Sequence, residues 1–357
     1  MKKVILVCAL AAAVISCKND EKKPPVVGTN ENGEELVVSE TGDTVVYTPP
    51  AAEEKGSLFG GKEEHVAIEK EADGTYKFKF NLEKGKKYPF KIVTTATNTQ
   101  SDGKQSMTIT QESTTALEYI VKEVTEEGFV MDVTYKQFAE KMSDGKQTIS
   151  FDTNGAEPKD EAAKQRWQFN KAIVGNSFKM TIDEAGKVQD VSNLFKVRDK
   201  VKNQMKGDLK DEQVAQLEEF LKAALSDEAM IQMFEESVAY YPKKAVKKGD
   251  TWNRNESEGN AKSSVTYTFD GINNGLATIK IKGSSSGSDS QTDPNGSGIK
   301  IFRSLEGNVN GTVNIDQKSG WVKDATMNKN ETMRMTQQKG EQKVNFSSET
   351  KSTTKIN

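Results

Sequence analysis

Thiols, imidazoles and long apolar runs are all scarce in this 357-residue chain, which has one His and two Cys. A single His excludes a His-rich zinc site. Charge of one sign is missing too: 50 Lys and Arg stand against 53 Asp and Glu, a net charge of -3. That balance gives no field to gather phosphates, which disfavours nucleic acid as a partner. With 34% apolar and 29% charged residues and a mean hydropathy of -0.70, the chain can bury a core but cannot form an integral membrane bundle. No run after the first residues approaches the roughly 18 apolar positions of a spanning helix.

What is present begins at the N-terminus. Met1-Lys2-Lys3 is a short cationic start, and residues 4–15 are uncharged and mostly aliphatic, too short to span a bilayer as a helix. This is the pattern of a secretory signal over residues 1–16. It ends Ala13-Val14-Ile15-Ser16-Cys17 and is followed by Lys18-Asn19-Asp20-Glu21-Lys22-Lys23. The ending resembles a bacterial lipobox. The resemblance implies that Cys17 receives a diacylglyceryl thioether, that the chain is cleaved before it and that the new amino terminus is acylated; more than one acyl chain makes anchoring durable. Cleavage would remove Cys8 and lipidation would consume Cys17, so no thiol remains for a disulfide or a thiolate metal site. It would also remove Lys2 and Lys3, leaving 48 basic against 53 acidic residues.

Residues 17–62 have the composition of a tether: Pro24-Pro25, Gly28, Asn32-Gly33, Gly42, Pro49-Pro50, Glu53-Glu54 and Gly60-Gly61, with few large apolar groups. Such a segment buries too little to offset its ordering entropy, so disorder is expected. Fully extended it reaches about 150 Å. The charged stretch after Cys17 resembles export signals of Bacteroidota surface lipoproteins; a solvated charge run explains it equally well. Asp43-Thr44-Val45 matches a short O-glycosylation tripeptide of that phylum, which marks Thr44 as a glycosylation candidate.

A globular head is expected over residues 63–357. Tyr76, Phe78, Phe80 and Leu82 alternate with Lys77, Lys79 and Asn81, and period-two alternation returns in Tyr88-Phe90-Ile92, 129–135, Phe178-Met180-Ile182, Val265-Tyr267-Phe269 and Val313-Ile315. Alternation with a polar face predicts antiparallel sheet rather than doubly covered parallel sheet. Asp102-Gly103, Glu127-Gly128, Asp144-Gly145, Asn274-Gly275 and Lys339-Gly340 predict hairpin turns. Between these strands, segments 160–173, 192–205, 211–225 and 226–241 carry apolar residues at spacings of three and four, with Ser192 and Ser226 placed as N-caps and Pro242 as a stop. The expected class is α+β: antiparallel sheets in two related halves, a curved half-barrel being one form, packed against a central group of helices. The halves are suggested by Lys84-Gly85-Lys86-Lys87-Tyr88 recurring as Lys248-Gly249-Asp250-Thr251-Trp252, and by Ile182-Asp183 to Asp190 recurring as Ile315-Asp316 to Asp324.

With the lipobox, the tether, the Lys84 to Tyr88 opening, the strands over 128–138 and 149–152, and the stretch from Tyr241-Pro242 to Thr251-Trp252, the chain resembles an uncharacterised Bacteroidota lipoprotein family, a domain of unknown function. The motifs are structural, so the resemblance carries no catalytic residue.

Catalytic signatures fail individually. Gly283-Ser284-Ser285-Ser286-Gly287 fits a nucleophile elbow, but no helix pattern follows and the only histidine, His65, precedes it; a flexible loop is the expectation. Asp293 to Gly298 imitates the start of a calcium loop, yet its twelfth position is Ser304 in place of Glu. Trp167, Trp252 and Trp321 could form a sugar-stacking platform, although Trp at strand starts more often packs. No enzyme, metal or cofactor is expected. Two roles compete: an interaction module whose polar sheet face meets a protein partner, and a carrier of a hydrophobic ligand in a groove between sheet and helices, lined by Phe220, Met230, Met233 and Phe234. The oily helical segment 211–241 is either fully covered by sheet or lines a cavity with adaptable Met side chains. Either way, the expected location is the cell envelope, on one face or the other of an outer membrane, held through the lipid on Cys17.

Overall fold

The structure is a computed structural model that describes residues 26–29, 35–38, 44–46 and 66–357, except 209, 210, 239 and 293–298. Backbone contacts divide the chain into two units, residues 1–63 and 64–357. In the first, β1 (Val26–Thr29), β2 (Glu35–Val38) and β3 (Thr44–Val46) pair in sequence as an antiparallel sheet. Composition alone gave residues 17–62 no secondary structure. The difference has a local cause: Val26-Val27, Leu36-Val37-Val38 and Val45-Val46 are β-branched and aliphatic runs, which favour extended pairing.

The second unit begins with a two-stranded ribbon, β4 (Ile68–Lys70) and β5 (Tyr76–Phe78). Four long or medium strands follow, β6 (Lys87–Ser101), β7 (Ser106–Thr125), β8 (Gly128–Ser143) and β9 (Thr148–Asp152), then helix α1 (Glu161–Ile173) and the hairpin β10 (Ser177–Ile182) and β11 (Val188–Ser192). Next come α2 (Leu194–Met205), α3 (Asp211–Ala224) and α4 (Asp227–Val238). The chain closes with β12 (Thr251–Glu258), β13 (Ala261–Asn273), β14 (Leu276–Thr292), β15 (Lys300–Asp316), β16 (Val322–Lys339) and β17 (Gln342–Ile356). Strand accounts for 58% and helix for 18%, so the sheet sets the architecture.

That sheet is a single antiparallel array of twelve strands ordered β11-β10-β8-β7-β6-β17-β16-β15-β14-β13-β12, with β9 paired to β8, and it is not closed. Strands before α2 occupy one side and strands after α4 the other. The two groups meet where β6 pairs with β17, from Ile92 opposite Ile356 to Ser101 opposite Ser347. The sequence repeats take matching places. Gly85 and Gly249 both have left-handed backbones, and their N–H groups donate to Val121 and Phe269 carbonyls at 2.8 and 2.7 Å. The turns at Asp183 and Asp316 each bind following amides through Oδ1, and both lie against one segment: Phe80 N–H donates to Glu184 O at 2.7 Å and Asn81 N–H to Ser319 O at 3.0 Å.

Burial is uneven along the strands. Leu117, Tyr119 and Val121 are buried in β7 but no residue of 106–116 is; Val313 and Ile315 are buried in β15 but no residue of 300–312 is. One reason is composition: the unburied ends are rich in Ser, Thr, Asn and Gln, which water satisfies on both faces, although they also leave Met107, Phe302, Leu305 and Met333 exposed. Gly283 to Gly287, expected as a flexible loop, is instead the middle of β14, with Gly283 opposite Val265 on one side and Val309 on the other. Flanking strands supply its backbone partners on both sides and override the poor strand propensity of Gly and Ser. Asp293 to Gly298 and His65 lie outside the described residues.

The helices cover the apolar ends. Leu194, Val197 and Val201 of α2, Leu221 of α3, and Met230 and Phe234 of α4 join the same core cluster as Phe129, Met131, Phe178 and Ile279. Asp160 Oδ1 accepts from Ala163 N–H at 2.9 Å and Ser226 Oγ from Ala229 N–H at 3.0 Å, both N-cap bonds. Ser192 does not cap α2. It ends β11, and the preceding position of α2 is Asn193, left-handed at φ 69° with no side-chain cap bond. The chain must turn sharply there, and Asn tolerates the left-handed region better than Ser.

Candidate binding cleft

Of the residues proposed from sequence, Cys17 lies outside the described residues, and Thr44 opens β3 opposite Val38. The four groove residues do not line one cavity. Phe234 is 2% exposed, its ring 5.8 Å from that of Tyr119, beside a void of only about 10 Å³ shared with Phe80, Phe90 and Trp321. Met230 is buried and its sulfur accepts the Tyr135 hydroxyl at 3.1 Å; burial pushes that phenol pKa up. Met233 packs on the edge of the core, half-buried. Phe220 is 55% exposed and meets the ring of Phe169 edge-on at 5.4 Å. The sheet closes over Met230 and Phe234, which meet Tyr135 and Tyr119, while Phe220 and Met233 stay at least partly exposed. Phe234→Trp is therefore expected to destabilise the fold by about 1–3 kcal/mol through overpacking, read from the urea midpoint at unchanged m-value.

An open cleft of about 1060 Å³ does exist, on the other side of α4. One wall is α4 itself, with Glu228, Ile231, Gln232 and Glu235; the opposite wall is β12 and β13, with Trp252, Arg254 and Tyr267. The helix sits here because Glu235 Oε1 accepts the Val188 N–H at 3.2 Å, joining α4 to the edge strand β11. Trp252 and Tyr267 stand opposite each other on β12 and β13, and their rings stack at 5.8 Å with an 18° interplanar angle. Burial raises the pKa of the Tyr267 phenol and the Arg254 charge opposes that rise. The Trp252 indole N–H is buried and has no acceptor among the described residues, which costs free energy unless something supplies one. Arg254 holds Glu256 at 2.6 Å along the strand. At the base of the cleft the Tyr241 hydroxyl donates to the Gly320 carbonyl, and burial puts its pKa well above the ordinary phenol value.

This arrangement offers an aromatic shelf, apolar contact from Ile231, and polar groups of both signs at the rim, which is binding chemistry. Among the described residues no group of three or more His, Cys, Asp or Glu is placed to hold a metal ion. The three Trp residues form no common platform: Trp167 donates to Asp152 O at 3.0 Å, Trp321 donates to Pro89 O at 3.1 Å inside the core, and Trp252 alone borders the cleft. Sequence reasoning missed this site. A signal was available in β12, where Trp252, Arg254 and Glu256 occupy the alternating positions that hold Tyr88, Phe90 and Ile92 in the related strand β6. Charges at core-type positions mark a strand with an open flank.

Comparison with known proteins adds the following. No curated protein matches the chain. Among solved structures it is similar to lipovitellin, described under "lipid-protein interactions in lipovitellin", at 10% identity and a TM-score of 0.39, over 77% of this chain and 25% of that one. The chain spans about a quarter of that protein's length, and the likeness is too slight to assign a fold. Residues 126–322 match a family of unknown function, DUF6263. They run from the β7–β8 turn to the start of β16 and take in every helix and the whole of the cleft, and on this match the chain belongs to the DUF6263 family.

Proposed function

We propose that the protein is a non-catalytic binding module of the cell envelope, anchored by lipid on Cys17 to the outer membrane of a Bacteroidota cell, and that its ligand enters the cleft between α4 and β12. In this reading the two sheet halves form an open half-barrel around the helices, and the cleft is where closure stops. The observation that carries the proposal is the cleft itself, about 1060 Å³ with the stacked Trp252 and Tyr267 on its wall, a size and chemistry typical of ligand sites. A hydrophobic ligand is the second reading, favoured by half-buried Ile231 lining the same cleft as that aromatic pair rather than by the groove first expected at Phe234.

The test uses the dye 1-anilinonaphthalene-8-sulfonate. Its fluorescence is expected to rise with the wild-type protein and to fall several-fold with Ile231→Arg, a half-buried position on the cleft wall, measured well below the melting temperature of the variant because Ile231 also borders the core. Dye binding that is absent, or indifferent to Ile231→Arg, would remove the cleft as the binding site.

A further inference from the structure

We infer that the ligand of this cleft is an extended polypeptide segment that adds to β12 as an antiparallel strand; this rests on the cleft reading above and names its ligand class. Hydrogen-bond parity leaves one flank of β12 open. Phe269 N–H donates to Asp250 O at 3.0 Å, and β12 and β13 run in unbroken register from Thr251 opposite Thr268 to Glu258 opposite Ala261. In an antiparallel pair, bonded and non-bonded residues alternate. Trp252, Arg254, Glu256 and Glu258 thus bond to β13, and Thr251, Asn253, Asn255 and Ser257 turn their N–H and C=O groups to the open side. Among the described residues these groups have no backbone partner. The other end of the sheet is different, because β11 is met by Glu235 of α4.

The related half of the sheet shows the same flank filled. Lys84-Gly85 to Tyr88 matches Lys248-Gly249 to Trp252, which sets β6 equivalent to β12 with Lys91 at the place of Asn255. Tyr88 faces Tyr119 on β7 as Trp252 faces Tyr267 on β13. The flank that β12 leaves open is occupied in β6 from the position equivalent to Asn255 onward: Lys91 and Asn357 exchange both backbone bonds at 3.0 Å, and β17 runs antiparallel to β6 from there to Ser101. The fold therefore contains its own example of what fits this position. Only a peptide backbone presents donors and acceptors at the two-residue spacing that β12 displays, which is the logic of strand addition.

The inner face states the side chains. An incoming strand would set an apolar residue beside Trp252, an acidic one opposite Arg254 and a basic one opposite Glu256. A heptapeptide Thr-Lys-Thr-Glu-Thr-Val-Thr, acetylated, amidated and fluorescein-labelled, follows that pattern in the antiparallel sense and serves as the probe. Fluorescence anisotropy with the full chain is expected to show saturable binding, weakened about tenfold or more when the two central Thr amides, which face Asn253 and Asn255, are N-methylated. Asn253→Pro should weaken it as much at unchanged melting temperature, since an edge strand tolerates Pro where its N–H faces outward.

No binding at millimolar peptide, or binding indifferent to both N-methylation and Asn253→Pro, overturns the inference. Dye binding by the wild-type chain that is lost in Ile231→Arg, with no peptide binding to that same wild-type chain, overturns the inference and leaves the cleft as a site for a small apolar ligand. A wild-type chain that sediments as a dimer, and as a monomer after Asn253→Pro, would instead assign the edge to a second copy and also overturns it. Loss of dye and peptide together removes the cleft reading as well.

Discussion

Trp321→Ala is expected to lower the unfolding free energy by about 3–5 kcal/mol, the range for removing a buried aromatic, and the melting temperature by roughly 5–8 °C for a unit of this size. Trp321 is 8% exposed, with its ring centroid 5.1 Å from Tyr119, 5.2 Å from Tyr88, 6.0 Å from Phe80 and 6.4 Å from Phe90. Its indole N–H satisfies the Pro89 carbonyl. Four aromatic neighbours from β6, β7 and the segment after β5 lose their common partner, and rigid rings cannot collapse into the space as aliphatic chains can. The position also fixes the turn before it. Gly320 is left-handed at φ 75°, and a side chain there would strike the Lys79 carbonyl, so the Asp316 turn has little freedom to follow a shrinking core. Calorimetry or urea unfolding checks the value; a loss under about 1 kcal/mol would mean that the core repacks, against the close packing seen here.

Cys17→Ala is expected to move the protein from the membrane fraction to the soluble fraction. Among the described residues no helix is long and apolar enough to cross a membrane, and each acyl CH₂ removed with the anchor takes away about 0.8 kcal/mol of membrane affinity. Detergent-phase partitioning and intact mass read the result together. A variant that stays in the detergent phase, or a wild-type mass without acyl groups, would end the lipid-anchor proposal. Cleft binding of the dye should be untouched by this change, which separates attachment from ligand recognition.

Much of the molecule is legible locally. The alternation at Tyr88 to Ile92 and at Val265 to Phe269 identifies strands because a sheet with one wet face writes period two into its sequence, whereas the alternation from Tyr76 to Leu82 outruns β5, which ends at Phe78. The stripes of α3 and α4 identify helices for the matching reason, and Ser226 caps as its position suggests. Errors arose where a neighbour in space, distant in sequence, decided the outcome. Gly283 to Gly287 is poor strand material and becomes strand because Val265 and Val309 hold it on both sides. Met230 and Phe234 suit a lipid groove by composition, and Tyr135 and Tyr119 close that groove.

The sequence by itself determined the hairpins, the helices and the repeated Lys-Gly and Asp-turn motifs, since each depends on backbone preferences and side-chain spacing within a few residues. The candidate site depended on strand order. β17 returns across more than two hundred residues to cover β6, and among the described residues no strand returns to cover β12, although the two strands open with the same motif. Main-chain hydrogen bonding is nearly blind to side-chain identity, so which edge is paired and which is left facing a cleft is a property of the assembled sheet, and only the tertiary structure decided it.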